Sequence, residues 1–208
     1  MPYFIRPMVK EDIDQVSEID HEAFPSQWPP ANYRQEMQNN IAHYLVACDN
    51  AKTVSMPATL PPKKSDLISR LMPWRRQQPM KNKSLPPVAV PYIAGFSGIW
   101  MMADEAHITN LAVRRQYQGK GLGQMLLIAT IDLAVGLKAS FMTLEVRASN
   151  LTAQSLYAKY GFTQMGIRRG YYLDNREDAI IMSTDTLNSP PFQERIKELR
   201  EALKQKLA

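Results

Sequence analysis

RRQYQGKGLGQMLLIATIDLAV, residues 114–135, sets glycines at 119, 121 and 123 directly ahead of an apolar segment with helical spacing. Without Cβ atoms, consecutive backbone N–H groups can line a concave surface. A helix starting at Leu122 turns its unpaired donors and positive dipole end to the same place. Lys120 adds a positive charge. The stretch therefore reads as an anion site of the kind that takes a phosphate.

Spacing excludes two phosphate loops. A G-x-x-x-x-G-K-S/T loop needs a hydroxyl after Lys120, where Gly121 stands, so ATP hydrolysis is not expected. A G-x-G-x-x-G dinucleotide loop needs a third glycine where Gln124 stands, so NAD is not expected either. What remains is Q-x-x-G-x-G, spelled by Gln118, Gly119, Lys120, Gly121, Leu122 and Gly123 and preceded by the strand-like NLAV.

Outward from the loop, the pattern alternates between periods of two and 3.6 residues. Upstream, YFIRPM reads as a strand and KEDIDQVSEIDHEAF as an amphipathic helix. A second helix is expected over 31–37, and AHYLVACD reads as a buried strand. YIAGFSGIWMM and EAHITNLAV read as two strands separated by a turn at Ala103 and Asp104. Downstream come the helix 122–137, the strand SFMTLEV, the helix LTAQSLYAKY, the strand FTQMGIRR, the polar turn YYLDNR and the strand EDAIIMSTD. This order suits an α/β sheet with helices on both faces.

Residues 51–91 stand apart. They hold eight of the fifteen prolines and a net +7, while the whole chain carries only +5. Such a proline density forbids regular ladders, so the segment reads as an insertion, with one amphipathic turn around Leu67, Ile68, Leu71 and Met72. Its charge could give salt-sensitive contact with ribosomal RNA or an anionic membrane, which leaves a binding module as an alternative to an enzyme. The stretch 188–208 places Phe192, Ile196, Leu199 and Leu203 at helical spacing. It reads as an amphipathic helix docked on the domain, in a monomer or weak dimer.

One cysteine, Cys48, leaves no internal disulfide and no multi-cysteine metal site, and the three histidines are scattered, so no metal is expected. No apolar run is long enough to span a membrane, and MPYFIRPMVKEDIDQ lacks the pattern of a secretory signal. The expected compartment is the cytoplasm.

The glycine loop resembles the pyrophosphate loop Q/R-x-x-G-x-G/A of the GNAT superfamily of acetyl-CoA-dependent N-acetyltransferases. LEVRASNLTAQSLYAKYGF, IRRGYY and REDAIIM are similar to its RimI branch, which acetylates the N-terminal alanine of a small-subunit ribosomal protein. The resemblance covers 1–48 loosely and 92–187 closely. It implies the GNAT (acyl-CoA N-acyltransferase) fold: a mixed, mostly antiparallel sheet with splayed central strands and helices on both faces. The domain would span 1–187, interrupted by the insertion. Acetylation of a small amine or of a protein lysine stays open as a same-fold alternative.

The resemblance also implies a site. The backbone of Leu111, Ala112 and Val113 would hold the pantetheine arm, and Gln118 to Gln124 the pyrophosphate. Asn150 would contact CoA and also cap a helix. Strand alternation puts Phe141, Thr143, Glu145 and Arg147 on one face, and a carboxylate in so apolar a strand is costly unless paired or functional. The resemblance makes Glu145 the general base and Tyr157 the general acid. If Glu145 is instead structural, Arg147 or Arg168 is its expected partner. Tyr171 and Tyr172, beside Asp174, Glu177 and Asp178, would line the peptide-binding edge, where the acids would suit a basic peptide. An N-terminal amine has a pKa near ~8 against ~10.4 for lysine, so it asks less of the base.

Overall fold

The computed structural model describes residues 2–26, 31–56 and 88–207. The proposed amphipathic turn at 67–72 lies outside them. β1 (Tyr3–Pro7) leads through a short 3-10 turn into α1 (Ile13–Ala23) and α2 (Tyr33–Glu36). β2 (Ala42–Met56), β3 (Val88–Met102) and β4 (Glu105–Val113) follow, then α3 (Leu122–Gly136), β5 (Phe141–Arg147) and α4 (Leu151–Lys159). β6 (Phe162–Tyr172), β7 (Glu177–Thr184) and α5 (Pro190–Leu207) complete the chain. The seven strands form one sheet in the order β1-β2-β3-β4-β5-β7-β6. Among the described residues only the β4–β5 pair is parallel.

Helices cover both faces, as expected. On one, α1 and α2 bring Val16, Ile19 and Tyr33 against Val46, Ile93 and Phe96. On the other, Leu127 and Ile131 of α3 pack with Ile99, Ile108 and Leu144. Each such buried aliphatic contributes roughly 1.5–3 kcal/mol relative to exposure. Asp12, buried at the entry to α1, accepts two hydrogen bonds from Arg6, at 2.6 and 2.8 Å, and one from the Val9 N–H. A buried carboxylate is thus paired and anchors the first helix on β1. α5 docks on the same chain: Phe192, Ile196 and Leu203 enter the α3-side core, and Arg200 forks onto Asp132 at 2.6 and 2.9 Å.

The structure departs from the sequence pattern at two places. Residues 51–91 are not free of ladder structure, because β2 runs on to Met56 and β3 begins at Val88, with Thr53 opposite Pro91 and Met56 opposite Val88. Pro91 is tolerated there because β4 joins β3 only from Gly95 onward, so the missing N–H falls on an open edge. Tyr171 and Tyr172, expected in the polar turn, instead end β6.

β4 carries a bulge that no local signal announces. Gly98 faces Asn110 but the next residue, Ile99, faces Ile108, so Thr109 is an extra residue. An inserted residue reverses the alternation beyond it. Ile108 therefore points into the α3-side core and Ala112, of the same parity, into the α1-side core.

Candidate active site

At the bulge β4 and β5 part. Their pairing runs from Glu105 opposite Phe141 to Ile108 opposite Leu144 and then stops. Beyond it β4 stays on β3, with Ala112 opposite Phe96 and Val113 opposite Gly95. The Arg114 N–H donates to the Ala94 carbonyl. By antiparallel alternation the Ala112 backbone also faces β3, while the Leu111 and Val113 backbones face the gap. Of the three residues expected to hold a pantetheine arm, Leu111 turns its N–H and carbonyl to the gap, Val113 turns its N–H there, and Ala112 is committed to the sheet. Gln118 Nε2 donates to the Val113 carbonyl at 3.0 Å, tying the glycine loop to the lip of the gap.

Gly121 caps α3 in the left-handed conformation, φ 87°, and Gly119 also has a positive φ, 75°. Side chains of L residues resist that region, which is why glycines stand there. A Cβ on Gly119 would have nothing within 4 Å, whereas one on Gly121 would press on Leu203 of α5 at 3.1 Å. Lys120 Nζ lies 5.3 Å from the centroid of the Tyr117 ring. Leu122 is buried, so only its backbone can meet a ligand. Gln124 Oε1 accepts from Lys159 Nζ at 2.7 Å and from the Tyr160 hydroxyl at 3.0 Å, locking α3 to α4. Asn150 caps α4, accepting from the Ala153 N–H at 3.1 Å. An open loop, a helix N-terminus and the gap-facing backbone of β4, joined by Gln118, suit a long molecule with a phosphate-bearing end.

Glu145 stands on β5 just past the point where the strands part, its side chain only 10% exposed. One oxygen is 2.9 Å from Arg168 Nη1 of β6 and the other 3.1 Å from His107 Nε2 of β4. His107 Nδ1 in turn lies 2.8 Å from Thr143 Oγ1, and the Thr143 hydroxyl donates to Glu105. Of the two arginines expected as partners of Glu145, Arg168 is the one that meets it. Tyr157 is buried against Phe162. Burial, reinforced by Tyr172, pushes its phenol well above the usual range. It therefore keeps its proton at neutral pH. Its hydroxyl makes no hydrogen bond to a protein group among the described residues.

Arg147 belongs to a different cluster. It binds Asp174 at 2.9 Å and Glu177 at 3.1 Å, lies 3.9 Å from the centroid of the Tyr172 ring, and reaches Ser26 after α1 at 3.3 Å. Glu177 also accepts from the Ser149 N–H at 2.7 Å. Hydrogen bonding from Ser149, its side chain first and its N–H second, and Arg147 after them hold the Glu177 carboxyl down at about 2. Asp178 accepts from the Gly170 N–H. The acids expected to attract a basic peptide are thus largely used by the protein itself. Tyr172, half-buried, has its phenol pushed up to about 12 mainly by desolvation, and Tyr171 lies edge-on to it and exposed.

Neither the place of His107 in this cluster nor the bulge at Thr109 follows from the sequence pattern. The one available signal was a histidine and a threonine where an inner strand ordinarily carries apolar residues. Among the described residues no group of three or more His, Cys, Asp or Glu side chains is placed to hold a metal ion, and no helix is long and apolar enough to cross a membrane.

The family model described as "Acetyltransferase (GNAT) family" matches residues 69–162. A Bacillus subtilis (strain 168) protein, provisionally named a ribosomal protein bS18-alanine N-acetyltransferase, is 34% identical over 179 residues, covering 86% of this chain and 92% of that one. The ribosomal protein bS18-alanine N-acetyltransferase of Escherichia coli (strain K12) is 45% identical over 93 residues, 44% of this chain and 63% of the relative. A crystal structure of the ribosomal-protein-S18-alanine N-acetyltransferase from Escherichia coli superposes with a TM-score of 0.58 at 25% identity, covering 88% of this chain and 92% of that one.

Proposed function

The chain belongs to the GNAT acetyltransferase family, and on that premise we propose that it moves the acetyl group of acetyl-CoA to the N-terminal α-amine of a protein, the N-terminal alanine of ribosomal protein bS18. The observation that carries the reading is Glu145, a carboxylate 10% exposed at the mouth of the gap between β4 and β5. The relatives named for this acceptor supply its identity.

GNAT acetyltransferases use acetyl-CoA, which supplies an activated thioester, and the residues present suit it. The gap-facing backbone of Leu111 and the Val113 N–H would align the pantetheine arm as an added strand, and a donor N–H there would polarise the thioester carbonyl. Gln118 to Gln124 and the start of α3 would hold the pyrophosphate, with Asn150 beside CoA. In this arrangement Glu145 removes a proton from the amine as its nitrogen bonds to the acetyl carbon. Tyr157 gives its proton to the departing sulfur. The N-terminal amine, already about a tenth neutral at pH 7, suits a carboxylate base better than a lysine would.

Tyr171 and Tyr172, with Arg147 tying their hairpin to Ser26, would shape the entrance for the acceptor. The domain would comprise 1–187 with the insertion inside it and α5 docked on it. That docking favours a monomer over a helix-mediated dimer.

The test is CoA release with acetyl-CoA and peptides beginning with Ala, beginning with Met, or bearing only an internal lysine, for the wild type and Glu145→Gln. Turnover should be highest on the Ala-start peptide and fall at least about 100-fold in the variant, with acetyl-CoA affinity unchanged. Preference for the lysine peptide, or an undiminished Glu145→Gln, would overturn the assignment.

A further inference from the structure

Resting on the transferase reading above, we propose that His107 is a positioning residue that works through Glu145, sharing one proton with it in a tautomer fixed by Thr143 and Glu105.

The hydrogen-bond directions carry this. Thr143 has one hydroxyl hydrogen, and it is given to Glu105. Its oxygen therefore meets His107 Nδ1, 2.8 Å away, as an acceptor, and Nδ1 carries the hydrogen. The neutral ring then turns a lone pair at Nε2 toward Glu145 Oε2, 3.1 Å away. A lone pair and a carboxylate repel at that distance unless a proton lies between them, so the pair has a place for a single proton.

The bulge makes this arrangement accessible. It returns Asn110 to the α1 side that His107 faces, and β4 leaves β5 one residue beyond His107. The ring thus stands at the last paired position on its own face of the sheet, one residue before Ile108 ends the pairing.

In the reaction the emptied pair takes one proton. An N–H bond of the amine breaks as an O–H bond forms on Glu145. That O–H breaks in turn as Nε2–H forms, leaving a carboxylate beside an imidazolium whose Nδ1–H stays on Thr143. Once the products have left, the proton returns to water through the same carboxylate, and water restores the one that Tyr157 gave to the sulfur. The charged groups around the pair are Glu105 on β4, Arg168 on β6, which holds the other Glu145 oxygen at 2.9 Å, and Glu36 on α2. Glu36 accepts at 3.0 Å from the indole of Trp100, the β3 neighbour of His107. Tyr172 of β6 also senses the Glu145 charge.

Two measurements test it. In wild type, log(kcat/KM) for the Ala-start peptide should rise with a slope of about two on the acid side, because the amine and the pair must each lose a proton. His107→Gln should give a slope of about one and lose about 10–100-fold in kcat, with acetyl-CoA KM unchanged. A residue that merely packed would leave the slope alone. A slope of one in active wild type, or two in the variant, overturns the proposal without touching the transferase assignment.

The second measurement needs no turnover. Nitrogen-15 imidazole shifts of the free enzyme should show the neutral His107 ring protonated at Nδ1, and Thr143→Val should move that hydrogen to Nε2. An Nε2–H ring in wild type overturns the proposal even if every peptide proves inert, an outcome that by itself would sink only the transferase assignment.

Discussion

Arg147 Nη1 lies 3.1 Å from Glu177 Oε2, so a residue at the end of β5 holds the first residue of β7. Through Asp174, Tyr172 and Ser26 the same guanidinium joins the β6–β7 hairpin to the chain after α1. Arg147→Ala should therefore loosen the acceptor entrance and leave the cofactor loop alone. Steady-state kinetics should show the peptide KM raised about tenfold, with acetyl-CoA KM within about twofold of wild type. Equal losses for both substrates would contradict this.

The same cluster predicts a pH dependence of stability. Glu177 titrates at about 2 in the folded protein, below the ordinary glutamate value of ~4.3. Its contribution is thus fully present above the unfolded value and disappears as pH falls from ~4.3 toward 2. Glu177→Gln should be less stable than wild type at neutral pH, and the two unfolding curves should converge as the solution is acidified through that window. A difference that grows on acidification would refute the assignment.

Tyr157→Phe separates chemistry from packing. The ring is buried on Phe162 and its hydroxyl has no protein hydrogen-bond partner among the described residues. Losing the oxygen should leave the melting temperature within about a degree or two of wild type, while kcat falls on the order of 100-fold.

The two left-handed glycines should respond differently to a methyl group. Gly119→Ala adds a Cβ with open space around it, so its cost to folding is the backbone strain, about 1–2 kcal/mol. Gly121→Ala pays similar strain and also pushes on Leu203 at 3.1 Å and Leu207 at 3.3 Å. Chemical denaturation should rank Gly121→Ala below Gly119→Ala, and calorimetry should show weakened acetyl-CoA binding in both.

On α5, Phe192→Ala should cost about 3–5 kcal/mol, since the ring is 5% exposed within the main core. Arg200→Ala breaks a well-formed but exposed pair with Asp132 and should cost under about 1 kcal/mol. Urea melts of both variants would decide whether α5 is integral to the domain or merely attached.

Local patterns made much of this structure legible. The Ala103–Asp104 turn, the start of α3 and the inward face of β5 all follow from periodicity and glycine placement, and they lie where expected. The bulge at Thr109 was not legible, because one extra residue leaves the local composition of a strand unchanged and shows only against a partner strand. The choice between Arg147 and Arg168 as partner of Glu145 was hidden for a similar reason. Neighbours two apart on a strand stand side by side, whereas cross-strand register decides who meets whom. Asp174 and Glu177 looked available because their internal partner, Arg147, is distant in sequence.

The pairing of Met56 with Val88 has a consequence for how such a chain can change over generations. The two ends of the basic segment leave the sheet side by side, beyond the last residue that β4 touches, so additions or deletions between them alter no register in the catalytic strands. Loop closure penalises length only logarithmically, about 0.6 kcal/mol per doubling. Natural variation can therefore lengthen, shorten or recharge this segment almost independently of the chemistry, and related chains should differ most in size there while keeping the glycine loop and the Glu145 strand in place.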